Sequence, residues 1–267
     1  MKREVDIVVL SDVHLGSYSC HAKELLNYLK SIKIGTLILN GDFINLSPFN
    51  KKSFPKQHAQ VIQKILELGA KGTKVYYITG NHDDVLRKYS NFESNNIHLR
   101  DSLQLQLKGK SYWLFHGDIF DFSLKYSPFF LKLGGRSYEW LIKINRLINK
   151  IRAFWGMPKM SFSKRIKKAV NYTQKFEDAA IQAALEKECD YVICGHVHQP
   201  QMRTVEQDGK KVTYLNSGDW VENLTALEYK WNRWSIYEYD EADYELINPK
   251  LHVKEKSTSF YALVPNH

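Results

Sequence analysis

Cysteine is scarce in this 267-residue chain: Cys20, Cys189 and Cys194 are too few and too scattered for a disulfide framework or a thiolate zinc site. That usage predicts a reducing compartment. Long hydrophobic runs are missing as well, since none approaches the ~20 apolar residues that span a bilayer. The opening Met1-Lys2-Arg3-Glu4-Val5 runs into a strand without an apolar signal segment, so a cytoplasmic protein is expected. Acidic residues are rare in one region in particular. From Asp121 to Lys175 there are thirteen Lys and Arg against two acids, Asp121 and Glu139, a local charge of +11 that leaves −2 for the rest of a chain whose total is +9. The basicity therefore belongs to one segment and calls for a local explanation.

What is present is an alternation of short apolar runs and amphipathic segments. Residues 5–10, 36–40 and 74–79 read as buried strands, and 22–31 and 56–68 as helices with Leu25, Leu26, Leu29 and Val61, Ile62, Ile65, Leu68 facing inward. Short polar turns join them, which predicts βαβ units and a largely parallel sheet. Shorter strands follow at 97–99, 103–107 and 112–115, the last two joined by a turn at Lys108-Gly109-Lys110. Residues 124–160 break the pattern: Gly134-Gly135 precedes Trp140, Leu141, Ile144, Leu147, Ile148 and Ile151 at helical spacing. A basic run, Lys164-Arg165-Ile166-Lys167-Lys168, then leads into a long helix that reaches Glu188. Strands resume at 192–194. A hairpin over 201–205 and 211–215 brackets Asp208-Gly209, and closing strands at 224–229 and 234–239 suit an antiparallel sheet. The expected organisation is a domain over 1–240, an insertion near 121–175, and a tail at 241–267 without a strong period.

Five polar clusters stand where predicted strands run out: Asp12-Val13-His14, Gly41-Asp42, Gly80-Asn81-His82-Asp83, His116-Gly117-Asp118 and Gly195-His196-Val197-His198. One such cluster is more often a turn cap than a site. Five in order are another matter, because ligands of open α/β sheets bind outside the carboxyl ends of the strands, where these clusters can meet. Asp12, His14, Asp42, Asn81, His116, His196 and His198 then offer a mixed carboxylate, amide and imidazole set suited to Mn, Fe(II), Zn or Co. Seven donors exceed the needs of one ion but serve two ions roughly 3.5–4 Å apart if a carboxylate bridges them. Two such ions activate a bridging water and clamp a displacement at phosphorus, so phosphoester hydrolysis is expected.

The order D-x-H, G-D, G-N-H-D, H, G-H-x-H resembles the calcineurin-like metallophosphoesterase superfamily over roughly residues 5–235. The resemblance implies an α/β sandwich of two mixed β-sheets flanked by helices. It implies one ion, most simply Mn, on Asp12, His14 and His198, a second on Asn81, His116 and His196, and Asp42 between them. His82 would stand beside the phosphate as proton donor and charge stabiliser, with Asp83 as its orienting partner. A member that had become a non-enzymatic scaffold should have lost donors, and this chain keeps them all.

Within the superfamily, the chain length, the insertion between the fourth and fifth clusters, and the closing Asn216-Ser217-Gly218-Asp219-Trp220-Val221-Glu222 resemble the UDP-2,3-diacylglucosamine hydrolase group of lipid A synthesis. That likeness implies cleavage of a pyrophosphate in a lipid-nucleotide substrate, and peripheral contact between the basic insertion and an anionic inner membrane surface. His82 departs from the group, whose best-known members carry Arg there. A fixed charge suffices for a phosphate leaving group, whereas histidine can also give a proton to an alkoxide. The alternatives are a phosphatase or phosphodiesterase acting on nucleotides, nucleic acid or phosphoproteins. For the insertion, an amphipathic helix packed on the domain and a nucleic-acid contact also stay open. Asp118, Asp219, His21, His58, His98 and His252 read as surface or turn residues, His21 being the one nearest a cluster. Cys194 reads as a small buried core residue.

Overall fold

A computed structural model describes residues 2–45, 54–120, 163–207 and 209–242, with the side chains of 163–171 left aside. The strands, in chain order, are β1 (Arg3–Leu10), β2 (Ile32–Asn40), β3 (Lys74–Ile78), β4 (Glu93–Ser94), β5 (Ile97–Arg100), β6 (Ser102–Leu107), β7 (Lys110–Phe115), β8 (Tyr191–Cys194), β9 (Gln201–Gln207), β10 (Lys210–Asn216), β11 (Thr225–Lys230) and β12 (Arg233–Glu238). The helices are α1 (Ala22–Ser31), α2 (Lys56–Ala70) and α3 (Ser163–Glu186). Two mixed sheets result, one ordered β12-β11-β1-β2-β3-β5-β4 and the other β6-β7-β8-β10-β9.

The period-two alternation of the strands sorts their side chains into layers. Val8, Leu10, Leu37 and Leu39 face one way and pack with Leu25, Leu29, Val61 and Ile65 of α1 and α2. Ile7, Val9 and Ile38 face the other way and meet Leu114, Ile193 and Leu215 of the second sheet. On the far side of that sheet, Trp113, Val192 and Tyr214 pack under Phe176, Ala180 and Ala184 of α3. The order is helices, sheet, sheet, helix, with a dry core between the sheets.

The parallel run β1, β2, β3, β5 accords with the alternation in the sequence. So does the β6–β7 hairpin, where Leu107 opposes Lys110 and both Lys108 and Gly109 have positive φ, as a type I′ turn demands. Two expectations need correction. β2 begins at Ile32, with α1 running directly into it, because Arg3 pairs with Ile32 and extends the sheet back by four residues. The C-terminal strands are not purely antiparallel either: β10 lies parallel to β8 and antiparallel to β9. The expected helix around Trp140 to Ile151, His252, and the tail beyond residue 242 lie outside the described residues.

Candidate metal centre

All five clusters come to one end of the sandwich, and the loops that carry them are stitched to each other by backbone hydrogen bonds. The Asp12 amide donates to the Gly41 carbonyl (3.1 Å) and the His14 amide to the Asp42 carbonyl (2.9 Å). The Gly195 amide donates to the His116 carbonyl (2.9 Å). Asp12, His14, Asp42, His196 and His198 sit in left-handed backbone with φ between 51° and 69°. Such a conformation costs an L-residue about 1–2 kcal/mol. Five in one place mean several kcal/mol of local strain, the pattern expected where backbone is held for function.

Each aspartate divides its two oxygens between backbone and cluster. Asp12 Oδ2 accepts the His196 amide at 2.9 Å, while Oδ1 faces His198 Nε2 at 3.2 Å. Asp42 Oδ1 accepts the His82 amide at 2.8 Å, and Oδ2 lies 3.4 Å from His116 Nε2, 4.0 Å from His14 Nε2 and 3.9 Å from His82 Nε2. One carboxylate oxygen thus faces both halves of the cluster. Three overlapping sets have their ligand atoms within 4.8 Å of one another: Asp12, His14, His198; His14, Asp42, His82; and Asp42, His116, His196. Asn81 lines the same cleft of about 570 Å³, together with Tyr172, Gln199, Glu222 and Asn223.

The donor set fits divalent ions on more than composition. Asp12 Oδ1 and His116 Nε2 are buried without a hydrogen bond, an arrangement that is costly unless a cation completes it. Burial pushes the His116 imidazole down, but Asp42 and Asp12 outweigh it and raise its pKa to about 10. His198 rises to about 9 against the same burial, chiefly through Asp12. Burial likewise pushes both aspartates up, yet His198 beside Asp12 and His116 beside Asp42 hold them well below the usual carboxylate range. His14 goes the other way, to about 3, because its burial exceeds the pull of Asp42.

Asp83 is placed differently from the expectation. Its carboxylate does not orient the His82 ring through any described contact; it accepts the Gly80 amide (2.6 Å), the Phe43 amide (3.0 Å) and the Tyr77 hydroxyl (2.6 Å). It therefore ties the Asp42 loop to the His82 loop by their backbones. Burial raises its pKa despite the Tyr77 bond. The His82 side chain stands at the rim of the cleft, its ring 4.7 Å from that of His14.

Three residues with a place here were missed or misjudged. Asn40 ends β2, accepts His116 Nδ1 on its carbonyl at 3.0 Å and donates to the Phe115 carbonyl at 3.2 Å. Tyr77 holds Asp83. Asp219, read as a turn residue, is fully buried with Oδ2 3.7 Å from His198 Nδ1. The signal that marked the five clusters also marks Asp219, since Asn216-Ser217-Gly218-Asp219 follows the apolar end of β10. His58 is buried rather than superficial, accepting the Gly16 amide at 2.8 Å as α2 packs on the first loop. His21 stays outside the cluster, 3.6 Å from Glu24 at the start of α1. Asp118 is ion-paired to Arg87 at 2.9 Å. Cys194 is buried with its thiol pKa pushed up by burial, so it is inert packing.

Residues 5–200 match the family described as Calcineurin-like phosphoesterase. The UDP-2,3-diacylglucosamine hydrolase of Aliivibrio fischeri (strain MJ11) is 25% identical over 86% of this chain and 97% of its own length. That of Marinobacter nauticus (strain ATCC 700491 / DSM 11845 / VT8) is 24% identical over 84% and 93%. Among solved structures, Yfce, a phosphoesterase from E. coli, is 17% identical with a TM-score of 0.44, covering 88% of this chain and 93% of that one. A family match across most of the chain, on the strand ends that carry the clustered donors, shows that the chain belongs to the calcineurin-like phosphoesterase family and is a metal-dependent phosphoester hydrolase.

Proposed function

We propose that this chain cleaves the pyrophosphate of UDP-2,3-diacylglucosamine to UMP and 2,3-diacylglucosamine 1-phosphate, using two divalent ions, with Mn the first candidate. The observation that carries the reaction class is the Asp42 carboxylate, one oxygen of which, Oδ2, faces donors on both sides. On this reading Asp12, His14 and His198 hold one ion, Asn81, His116 and His196 the other, and Asp42 is shared. Bound ions supply a water nucleophile at neutral pH and charge neutralisation at phosphorus. The chain's own residues do the rest. Backbone amides fix one oxygen of each aspartate, so the other is aimed before substrate arrives. His82, anchored through its amide to Asp42, presents its ring at the cleft where a phosphoryl oxygen or leaving oxygen would lie.

Support for the lipid nucleotide comes from the relatives, whose similarity runs over most of both chains. A cleft of about 570 Å³ falls within the usual range of about 300–1,000 Å³ for small-molecule sites. The +11 segment at 121–175 is assigned, on its sequence alone, to acyl chains and an anionic membrane surface. No described helix is long and apolar enough to cross a membrane.

The test is hydrolysis of UDP-2,3-diacylglucosamine beside bis-p-nitrophenyl phosphate in Mn, with product identification and an Asp42→Ala control. UMP release at much higher kcat/KM than the diester supports the proposal. Turnover of the diester alone removes the lipid nucleotide and leaves a phosphodiesterase, for which His82 in place of Arg would suit an alkoxide leaving group.

A further inference from the structure

His116 and His198, the two imidazoles nearest the aspartates, are supported from behind in different ways. His116 Nδ1 is 3.0 Å from the Asn40 carbonyl, a neutral acceptor. Behind His198 stands a carboxylate: Asp219 is fully buried, and its Oδ2 lies 3.7 Å from His198 Nδ1, an ion-pair distance. On the opposite side of the same ring, His198 Nε2 is 3.2 Å from Asp12 Oδ1.

The surroundings of Asp219 hold it rigidly. Its Oδ1 accepts the amides of Val221 (2.7 Å), Glu222 (2.5 Å) and Asn223 (3.3 Å), and its Oδ2 accepts Asn223 Nδ2 at 2.6 Å. Asn223 Nδ2 also donates to the His198 carbonyl at 2.7 Å. The asparagine thus holds His198 by its backbone, and the aspartate places a negative charge behind its ring at 3.7 Å, longer than a hydrogen bond. An aspartate here could do no more than cap the turn at 220–223. Two observations go beyond a cap: a turn cap needs one oxygen, and here the second points at an imidazole; and the asparagine capped by the carboxylate reaches back to that same histidine.

We propose that Asp219 is a positioning residue for the ion shared by Asp12, His14 and His198, fixing His198 as the tautomer with its proton on Nδ1. The proposal rests on the metal-binding reading above. The chemistry is simple. An imidazole that gives its Nε2 lone pair to a cation while neutral must carry its proton on Nδ1, and an anion behind that proton selects this tautomer, locks the ring and makes Nε2 a better donor. Because His116 has only a carbonyl behind it, the two ion positions differ in ligand basicity, and the Asp219 side is the one a neutral replacement weakens.

The experiment compares the full chain with Asp219→Asn, which keeps shape and an oxygen for the 221–223 amides but can present an NH₂ group to Nδ1. Mn binding by calorimetry and metal content after dialysis are read beside thermal unfolding of the metal-free proteins. The expected result is a 10- to 100-fold weaker affinity at one position, in a metal-free protein that still unfolds cooperatively with its Tm lowered by the loss of the Asn223 Nδ2 acceptor. Wild-type affinity in Asp219→Asn overturns the proposal. A second measurement needs no variant: long-range ¹H–¹⁵N NMR of the Zn-loaded wild-type chain should show His198 protonated at Nδ1 and bound through Nε2, and coordination through Nδ1 would overturn it even if Asp219→Asn fails to fold. The affinity comparison reads Asp219 whether the wild-type chain takes one ion or two, so failure of the two-ion scheme is distinguishable from failure of this inference.

Discussion

Gly80→Ala is the smallest change that should disable the centre without touching a donor. A Cβ at residue 80 would stand 2.3 Å from Asp42 Oδ1, 2.6 Å from the Asp42 amide nitrogen and 2.9 Å from His116 Cδ2. Ordinary contact begins near 3.4 Å, so the two loops must part by about 1 Å. A side-chain rotation cannot relieve this, because one of the contacts is the Asp42 backbone. The separation also pulls at the His82 amide that donates to Asp42 Oδ1 at 2.8 Å. Overpacking of this kind costs about 1–3 kcal/mol of stability, or about 2–4 °C of Tm per kcal/mol in a chain of this size. Activity should fall further, since a misplacement near 1 Å costs about 10²-fold, equivalent to about 2.7 kcal/mol in the barrier. The assay is kcat/KM on bis-p-nitrophenyl phosphate in saturating Mn, with metal content and Tm measured on the same sample. A folded Gly80→Ala protein with wild-type kcat/KM would refute the argument that Asp42 and the His82 loop are held at contact distance.

Other expectations follow from the same geometry. Tyr77→Phe removes the donor to Asp83 Oδ2 and leaves a buried acid short of a partner, costing about 1–3 kcal/mol; unchanged urea unfolding would count against Asp83 as the tie between loops. His82→Ala should lose turnover while keeping its bound metal, and metal content that falls in step with activity would make His82 a ligand instead. In the metal-free chain His116 keeps its proton up to about 10, against about 6.5 when unfolded. Its stabilising contribution is therefore complete below about 6.5 and fades as pH climbs toward 10. Metal must displace protons from His116 and His198, so near pH 8 binding should release protons and tighten with rising pH. Calorimetry in buffers of different ionisation enthalpy reads the number released, and none would contradict the assignment of these two imidazoles.

Where the reactive groups lie along the chain is legible from the amino-acid order. Strand ends are legible because a buried strand is a short apolar run that stops, and the polar residues after each stop had to gather at the carboxyl edge once the strands were parallel. Asp12, His14, Asp42, Asn81, His116, His196 and His198 follow from that rule alone. Which groups stand behind them is set by the packing of strands and loops. Asp219 reaches His198 because β10 lies parallel to β8 with Asn216 opposite Cys194, which sets the two following loops side by side. Tyr77 reaches Asp83 through the turn at Gly80, and His58 reaches Gly16 through the packing of α2. Such partners are fixed by strand neighbours and register, which involve residues far apart in the chain, while hydrophobic periodicity reports only on the burial of each segment by itself.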